Sequence, residues 1–319
     1  MQMVDDARVV VYLMTGFLES GKSTFLTETL SKNYFKIDGK TVVILCEEGE
    51  VEYEQSLLDW ANAELVTVDD PEDLTTEFLQ KIEDKYRPER VIIECNGMYP
   101  VSKMEEIDAP DGWGLIQEIT TVDASTFDLY IANMKSLFVE MVRNADMVVF
   151  NRCTEDMPLA SYRRSVKVVN QGAEIIFEGE DGEIEDIFSE QMPYDLDAPV
   201  VKIEDMDFGI WYVDMLDHPD KYIGKTVEIN GRARKVKGFP KDELIIGRSA
   251  MTCCADDLQF LGFVSKSDQF AAFGANTWVK VRGKVSFEFK RAYRGRGPVL
   301  NIEKVEKIPA LEEELVYFN

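Results

Sequence analysis

The chain has 319 residues and carries 60 Asp and Glu against 35 Lys and Arg, a formal net charge of −25. That length suits two domains, each burying its own core, and the acidity disfavours non-specific binding to nucleic acid or to an anionic membrane. No apolar run approaches the roughly 20 residues of a membrane span, and no secretory pattern opens the chain; the expectation is a cytoplasmic protein with no membrane span and no nucleic-acid partner.

Residues 8–14 form a continuous apolar run that reads as a buried parallel strand. Directly after it stands Gly16-Phe17-Leu18-Glu19-Ser20-Gly21-Lys22-Ser23-Thr24, a full match to the phosphate-binding pattern G-x-x-x-x-G-K-[ST], and residues 23–32 are patterned as a helix. Each residue type has a task there. Gly16 and Gly21 let backbone N–H groups close around phosphate oxygens, with Glu19, Ser20 and Thr24 completing the loop. Lys22 reaches the outer phosphates, and the Ser23 hydroxyl is a magnesium ligand.

Further strand-like runs follow at residues 41–45, 90–94, 119–123, 146–150 and 174–177, with helical segments between them. This alternation predicts an α/β P-loop NTPase fold with a mostly parallel sheet covered on both faces, and ligands bind beyond the carboxyl ends of such strands. After the second strand comes Cys46-Glu47-Glu48-Gly49-Glu50-Val51-Glu52, and the third ends in Glu94-Cys95-Asn96-Gly97. Glu47 and Glu94 are the carboxylates placed to hold magnesium or order an attacking water, and Gly97 lets backbone approach the terminal phosphate. Glu47, Glu48, Glu50 and Glu52 read equally well as a solvated acidic loop.

After the fifth strand stands Asn151-Arg152-Cys153-Thr154-Glu155, where a base is selected. With this element the chain resembles the CobW-like family of metal-centre GTPases. The matching stretches are the phosphate loop, Glu47-x-Gly49-Glu50-Val51, Glu94-x-x-Gly97, Val122-Asp123-Ala124 and Ala145-Asp146-x-Val148-Val149-x-Asn151. The resemblance implies that Lys22 binds phosphate, Ser23 and Glu94 hold Mg2+, and Asn151, with Arg152, meets the base of GTP. It also implies hydrolysis that gates metal delivery to a client protein, and a homodimer that pairs two nucleotide sites. Two departures bear on it. Thr154 stands where the base-reading element has an aspartate, leaving GTP or ATP open, with Glu155 or Asp156 substituting if the loop shifts. The family's Cys-x-Cys-Cys motif is also absent, residues 63–74 taking its place.

The five cysteines, Cys46, Cys95, Cys153, Cys253 and Cys254, are odd in number and lack a disulfide-like spacing, so thiols are expected. Cys46, Cys95 and Cys153 each fall at or just past a strand's carboxyl end. They read either as a soft site for Zn2+ or another transition metal, with Glu47 or a second subunit as a further ligand, or as buried apolar residues. The one histidine, His218, reads as a surface loop residue.

Residues 177–208 are acidic and broken by Pro193 and Pro199, a connector that places the domains at 1–200 and 201–319, with a short helix at 210–216. Strands then follow at 225–236, 243–253, 260–265, 277–289 and 298–308. They suggest a small antiparallel all-β barrel of the oligonucleotide/oligosaccharide-binding (OB) type, a sandwich being the competing fold. Its basic-aromatic hairpin (Phe287, Phe289, Lys290, Arg291, Tyr293, Arg294, Arg296) reads as a solvated edge or protein contact. Residues 251–262, with Cys253 and Cys254 ahead of Asp256 and Asp257, and Trp278-Val279-Lys280-Val281-x-Gly283 are similar to the YcgQ-like proteins. The cysteine pair is a partial metal site or structural packing. The expected function is a slow nucleoside triphosphatase, GTP before ATP, switching metal or metal-cofactor handling; the alternative is a non-catalytic metal- or partner-binding protein with a structural nucleotide.

Overall fold

The computed structural model describes residues 7–46, 53–184, 192–252, 257–274 and 276–316. The chain divides into two units, the first built from Met1–Leu159 and Asn170–Ile187, the second from Ala160–Val169 and Phe188–Asn319.

In the first unit, β1 (Val9–Thr15) buries Val9, Val11, Leu13 and Met14 because it lies inside a sheet covered on both faces. The phosphate loop leads from it into α1 (Lys22–Ser31), then β2 (Thr41–Leu45), α2 (Gln55–Trp60), β3 (Ala63–Thr67), α3 (Thr76–Tyr86) and β4 (Arg90–Glu94). Next come α4 (Val101–Glu105), β5 (Trp113–Asp123), α5 (Phe127–Arg143) and β6 (Met147–Cys153). After α6 (Leu159–Lys167), which counts with the second unit, β7 (Glu174–Gly179) and the short β8 (Gly182–Glu183) complete the sheet. The strand order is β3-β2-β4-β1-β5-β6-β7-β8, with every pair parallel except β7–β8. One apolar cluster joins α1 and α2 to the sheet through Leu26, Leu30, Leu58, Val43 and Ile92.

Two strands differ from the sequence expectation. β3 lies at 63–67, where no strand is expected, because it is an edge strand whose alternating exposure leaves only a weak apolar signal. β5 begins at Trp113 rather than 119 and continues through Gln117 and Glu118, polar residues that end an apolar run when read alone.

The second unit contains β9 (Val201–Lys202), α7 (Phe208–Asp217), β10 (Thr226–Arg234), β11 (Glu243–Met251), β12 (Leu258–Lys266), β13 (Thr277–Lys290), β14 (Gly295–Lys307) and β15 (Leu315–Val316). The sheet is mixed rather than antiparallel, since β12 pairs parallel with β14 and the short β9 and β15 also pair parallel. The five long strands pair in a ring, β10 to β11, β12, β14, β13 and back to β10. Trp211 of α7 meets Phe263 of β12 edge to face at 5.3 Å. Arg248 of β11, 1% exposed, donates to the carbonyls of Asp205 and Glu313, each at 2.6 Å. Among the described residues no helix is long and apolar enough to cross a membrane.

Candidate functional site

The carboxyl ends of β1, β4, β5 and β6 converge on the phosphate loop. Gly16, at φ 138°, has no room for a side chain: a Cβ would stand 2.4 Å from the Thr121 carbonyl oxygen. Ser20 Oγ and Thr121 Oγ1 share a hydrogen bond of 2.9 Å, and the Phe17 ring stacks on Tyr130 at 4.2 Å, fixing the loop against β5 and α5. Gly97 is required by close approach, because a Cβ there would lie 2.6 Å from the Gly16 carbonyl oxygen.

Helix α1 starts at Gly21 in a left-handed conformation, with no side-chain cap and no acidic residue in its first turn. Its first N–H groups are thus left for an anion, and the helix dipole favours one there. Lys22 is 4% exposed and its Nζ donates to the carbonyls of Gly16 and Phe17, both at 3.0 Å, which holds the ammonium over the loop.

Ser23 Oγ donates to Glu94 Oε1 at 2.6 Å, and Tyr53 OH donates to Glu94 Oε2 at 2.7 Å. Glu94 is 3% exposed, so these two hydroxyls replace the water a buried carboxyl would otherwise need. Burial, and then the neighbouring Glu94, push the Tyr53 phenol far above its usual range, so it stays a donor. A hydroxyl against a carboxyl at the foot of an uncapped helix is a hard-oxygen donor set that fits Mg2+.

Asn151 Nδ2 donates to the Ser20 carbonyl at 2.7 Å, while its Oδ1 is buried with no protein partner. Arg152, at φ 54°, donates to the Glu19 carbonyl at 3.0 Å and pairs with Asp123. Thr154 is exposed, and its hydroxyl donates to Asp156, lowering that carboxyl. Of the residues expected at the site, Gly16, Glu19, Ser20, Gly21, Lys22, Ser23, Glu94, Gly97, Asn151 and Arg152 therefore gather around one loop, with exposed Thr24 following Ser23 in α1. Glu47, Cys253 and Cys254 lie outside the described residues.

The three-thiol metal site is not formed. Among the described residues no group of three or more His, Cys, Asp or Glu side chains is arranged to hold a metal ion. The strand order explains why: β1 and β5 stand between β4 and β6, so Cys153 is about 14 Å from Cys95 at ~4.8 Å per strand. The Cys153 thiol donates to the Phe150 carbonyl at 3.3 Å, and burial pushes it up to about 11. Cys46 and Cys95 are also buried.

Tyr53 and Asp123 are the site residues whose roles the sequence did not reveal. Asp123 sits within the Val-Asp-Ala stretch of the resemblance, which was a usable signal; Tyr53 follows the acidic segment with no motif around it.

A family model described as "CobW/HypB/UreG, nucleotide-binding domain" matches residues 10–177, and one described as "DUF1980 C-terminal domain" matches residues 181–318. The UPF0703 protein YcgQ of Bacillus subtilis (strain 168) is 20% identical over 117 residues, 37% of this chain and 41% of the relative. The chain thus spans about two fifths of the length of the curated relative it matches. Among solved structures, the hydrogenase maturation factor HypB from Archaeoglobus fulgidus is 17% identical with a TM-score of 0.37, covering 54% of this chain and 82% of its own. The Zn(II)-bound YjiA GTPase from E. coli is 19% identical with a TM-score of 0.43, covering 83% of this chain and 97% of its own.

Proposed function

Since this chain belongs to the CobW/HypB/UreG family of nucleotide-binding domains, we propose that it is a triphosphatase, with GTP as its preferred nucleotide, that switches the handling of a metal ion or metal cofactor for a client protein. The observation that carries the nucleotide reading is the contact of Ser23 Oγ with buried Glu94 at 2.6 Å, beside Lys22 and the uncapped start of α1. The metal and client parts rest on the family alone.

Ser23 and Glu94 would hold Mg2+, which supplies neutralising charge to the phosphates. Lys22 and the loop N–H groups stabilise charge developing on the γ-phosphate oxygens as water attacks. Tyr53 holds one Glu94 oxygen so that the other faces Ser23. Arg152 is committed to Asp123 and Glu19, so this residue does not serve as an arginine finger, and slow intrinsic turnover is expected. The ring of five strands in the second unit supports an OB-type barrel, a closure that leaves few open edges. A homodimer in the cytoplasm completes the reading.

One observation favours a second reading. Thr154 offers a guanine base at most one accepting group where an aspartate offers two, which suits a protein that keeps a nucleotide without discriminating or hydrolysing it. The test is affinity for GTP and ATP with magnesium, with and without one equivalent of zinc, together with phosphate release. GTP preference with turnover supports the switch, whereas binding without turnover supports the structural nucleotide.

A further inference from the structure

Cys46 and Cys95 are the first residues beyond two adjacent parallel strands. Leu45 stands opposite Glu94 in the β2–β4 ladder, and the Cys46 N–H donates to the Glu94 carbonyl at 2.9 Å, so the pairing continues one step further. Residues level with each other on neighbouring parallel strands project to the same face, and such strands lie ~4.8 Å apart. Both side chains are enclosed, at 2% and 3% exposure.

We propose that Cys46 and Cys95 form a two-thiolate site for a soft d10 monovalent cation, Cu(I) foremost, beneath the nucleotide site. Strands ~4.8 Å apart bring two side chains at the same level within reach of one ion. The number of ligands selects the ion. Structural zinc sites take four ligands, whereas Cu(I) is among the ions that soft thiolates select, and among the described residues no group of three or more His, Cys, Asp or Glu side chains is arranged to hold a metal ion. Magnesium goes instead to the oxygens of Ser23 and Glu94. Binding converts two thiols and one Cu(I) into a bis-thiolate complex of net charge −1, releasing two protons.

The site reports to the nucleotide through Glu94, whose backbone carries Cys95 and accepts from Cys46 while its carboxyl holds Ser23. Two residues beyond Cys95, Gly97 lies against the Gly16 carbonyl. Copper and nucleotide therefore alter each other's affinity by the same factor. This link rests on the triphosphatase reading; the thiol site does not.

The experiment titrates the reduced chain with Cu(I) under anaerobic conditions, without nucleotide, against a chromogenic Cu(I) chelator. A Cys253→Ser, Cys254→Ser background removes the other cysteine pair. One Cu(I) per chain is expected in that background, weakened at least roughly 100-fold by either Cys46→Ser or Cys95→Ser, beyond the loss that supporting ligands give. Cys153→Ser keeps full binding. Should a serine variant misfold, Ag(I) on the unsubstituted chain, read by alkylation and peptide mapping, must protect Cys46 and Cys95 together. Unchanged stoichiometry in the Cys46 and Cys95 variants, equal loss with Cys153→Ser, or a Cys46–Cys95 disulfide that persists under reductant overturns the site. Copper binding with no nucleotide affinity would overturn the triphosphatase reading and leave the thiol site standing.

Discussion

Asn151 reaches from the end of β6 to hold the phosphate loop, its Nδ2 donating to the Ser20 carbonyl at 2.7 Å while its Oδ1 is left buried without a protein partner. A buried acceptor without a donor costs on the order of 1–3 kcal/mol. A base amino or imino group is the donor that removes this cost. Both guanine and adenine carry one, so in the proposed reading Asn151 would favour a base without choosing between them.

In that reading the choice would fall to Thr154. Thr154→Asp restores two accepting oxygens at an exposed position, and the ratio of GTP to ATP affinity should rise at least roughly tenfold, the value of one charge-assisted bond. Isothermal titration of both nucleotides checks it. An unchanged ratio would mean that the base does not reach residue 154.

Lys22→Ala removes the ammonium held over the loop by the Gly16 and Phe17 carbonyls. Triphosphate affinity should fall by roughly ten- to a hundredfold or more, given about 1.5–3 kcal/mol for each bond to a charged group. Diphosphate should lose less if, as proposed, the lysine serves the outer phosphates. A uniform loss across both nucleotides would show that the loop itself had collapsed.

Glu94→Gln and Tyr53→Phe separate magnesium binding from positioning. The first removes a charge from the candidate magnesium shell and should abolish magnesium-supported turnover. The second deletes only the donor to Glu94 Oε2 and should lower turnover modestly while magnesium dependence survives at higher concentration. Phosphate-release assays across a magnesium series decide between them.

Arg248→Met should destabilise the second unit by about 1–3 kcal/mol, the scale for leaving buried polar groups without a donor. The guanidinium is the donor to the Asp205 and Glu313 carbonyls. Denaturant unfolding followed by tryptophan fluorescence reads the effect, since Trp211 lies in the same core.

Cys153 supplies a pH signature. Burial pushes its folded thiol up to about 11, whereas an unfolded thiol titrates near ~8.5. Between those values the folded chain keeps a proton that the unfolded chain has released. Its stabilising contribution is thus complete below ~8.5 and disappears as pH rises through about 11. Wild type should lose more stability across that window than Cys153→Ala, as compared by denaturant midpoints.

The phosphate loop was legible because its chemistry is contiguous: Gly16 to Thr24 carry glycines, lysine and hydroxyl in one stretch. Glu94 was legible because it ends an apolar strand, and Asn151 because it follows the apolar run of one, although β6 continues to Cys153. Tyr53 was not, since it meets Glu94 across 41 positions, nor were the partners of Arg152, with Glu19 standing 133 positions away. Cys153 misled for a related reason: falling at a strand end says nothing of how many strands intervene, and strand order is a long-range property. β3 escaped because half its side chains face outward.

Helix α1 begins uncapped, and only the folded loop presents those N–H groups together. A triphosphate seated there binds the folded chain and not the unfolded one, which at a hundred times the dissociation constant adds about 2.7 kcal/mol to stability. For a domain of ordinary marginal stability that increment changes the unfolded fraction by roughly a hundredfold. The nucleotide supply of the cell would then govern how long each molecule of this protein survives proteolysis, as well as what it does while it lasts.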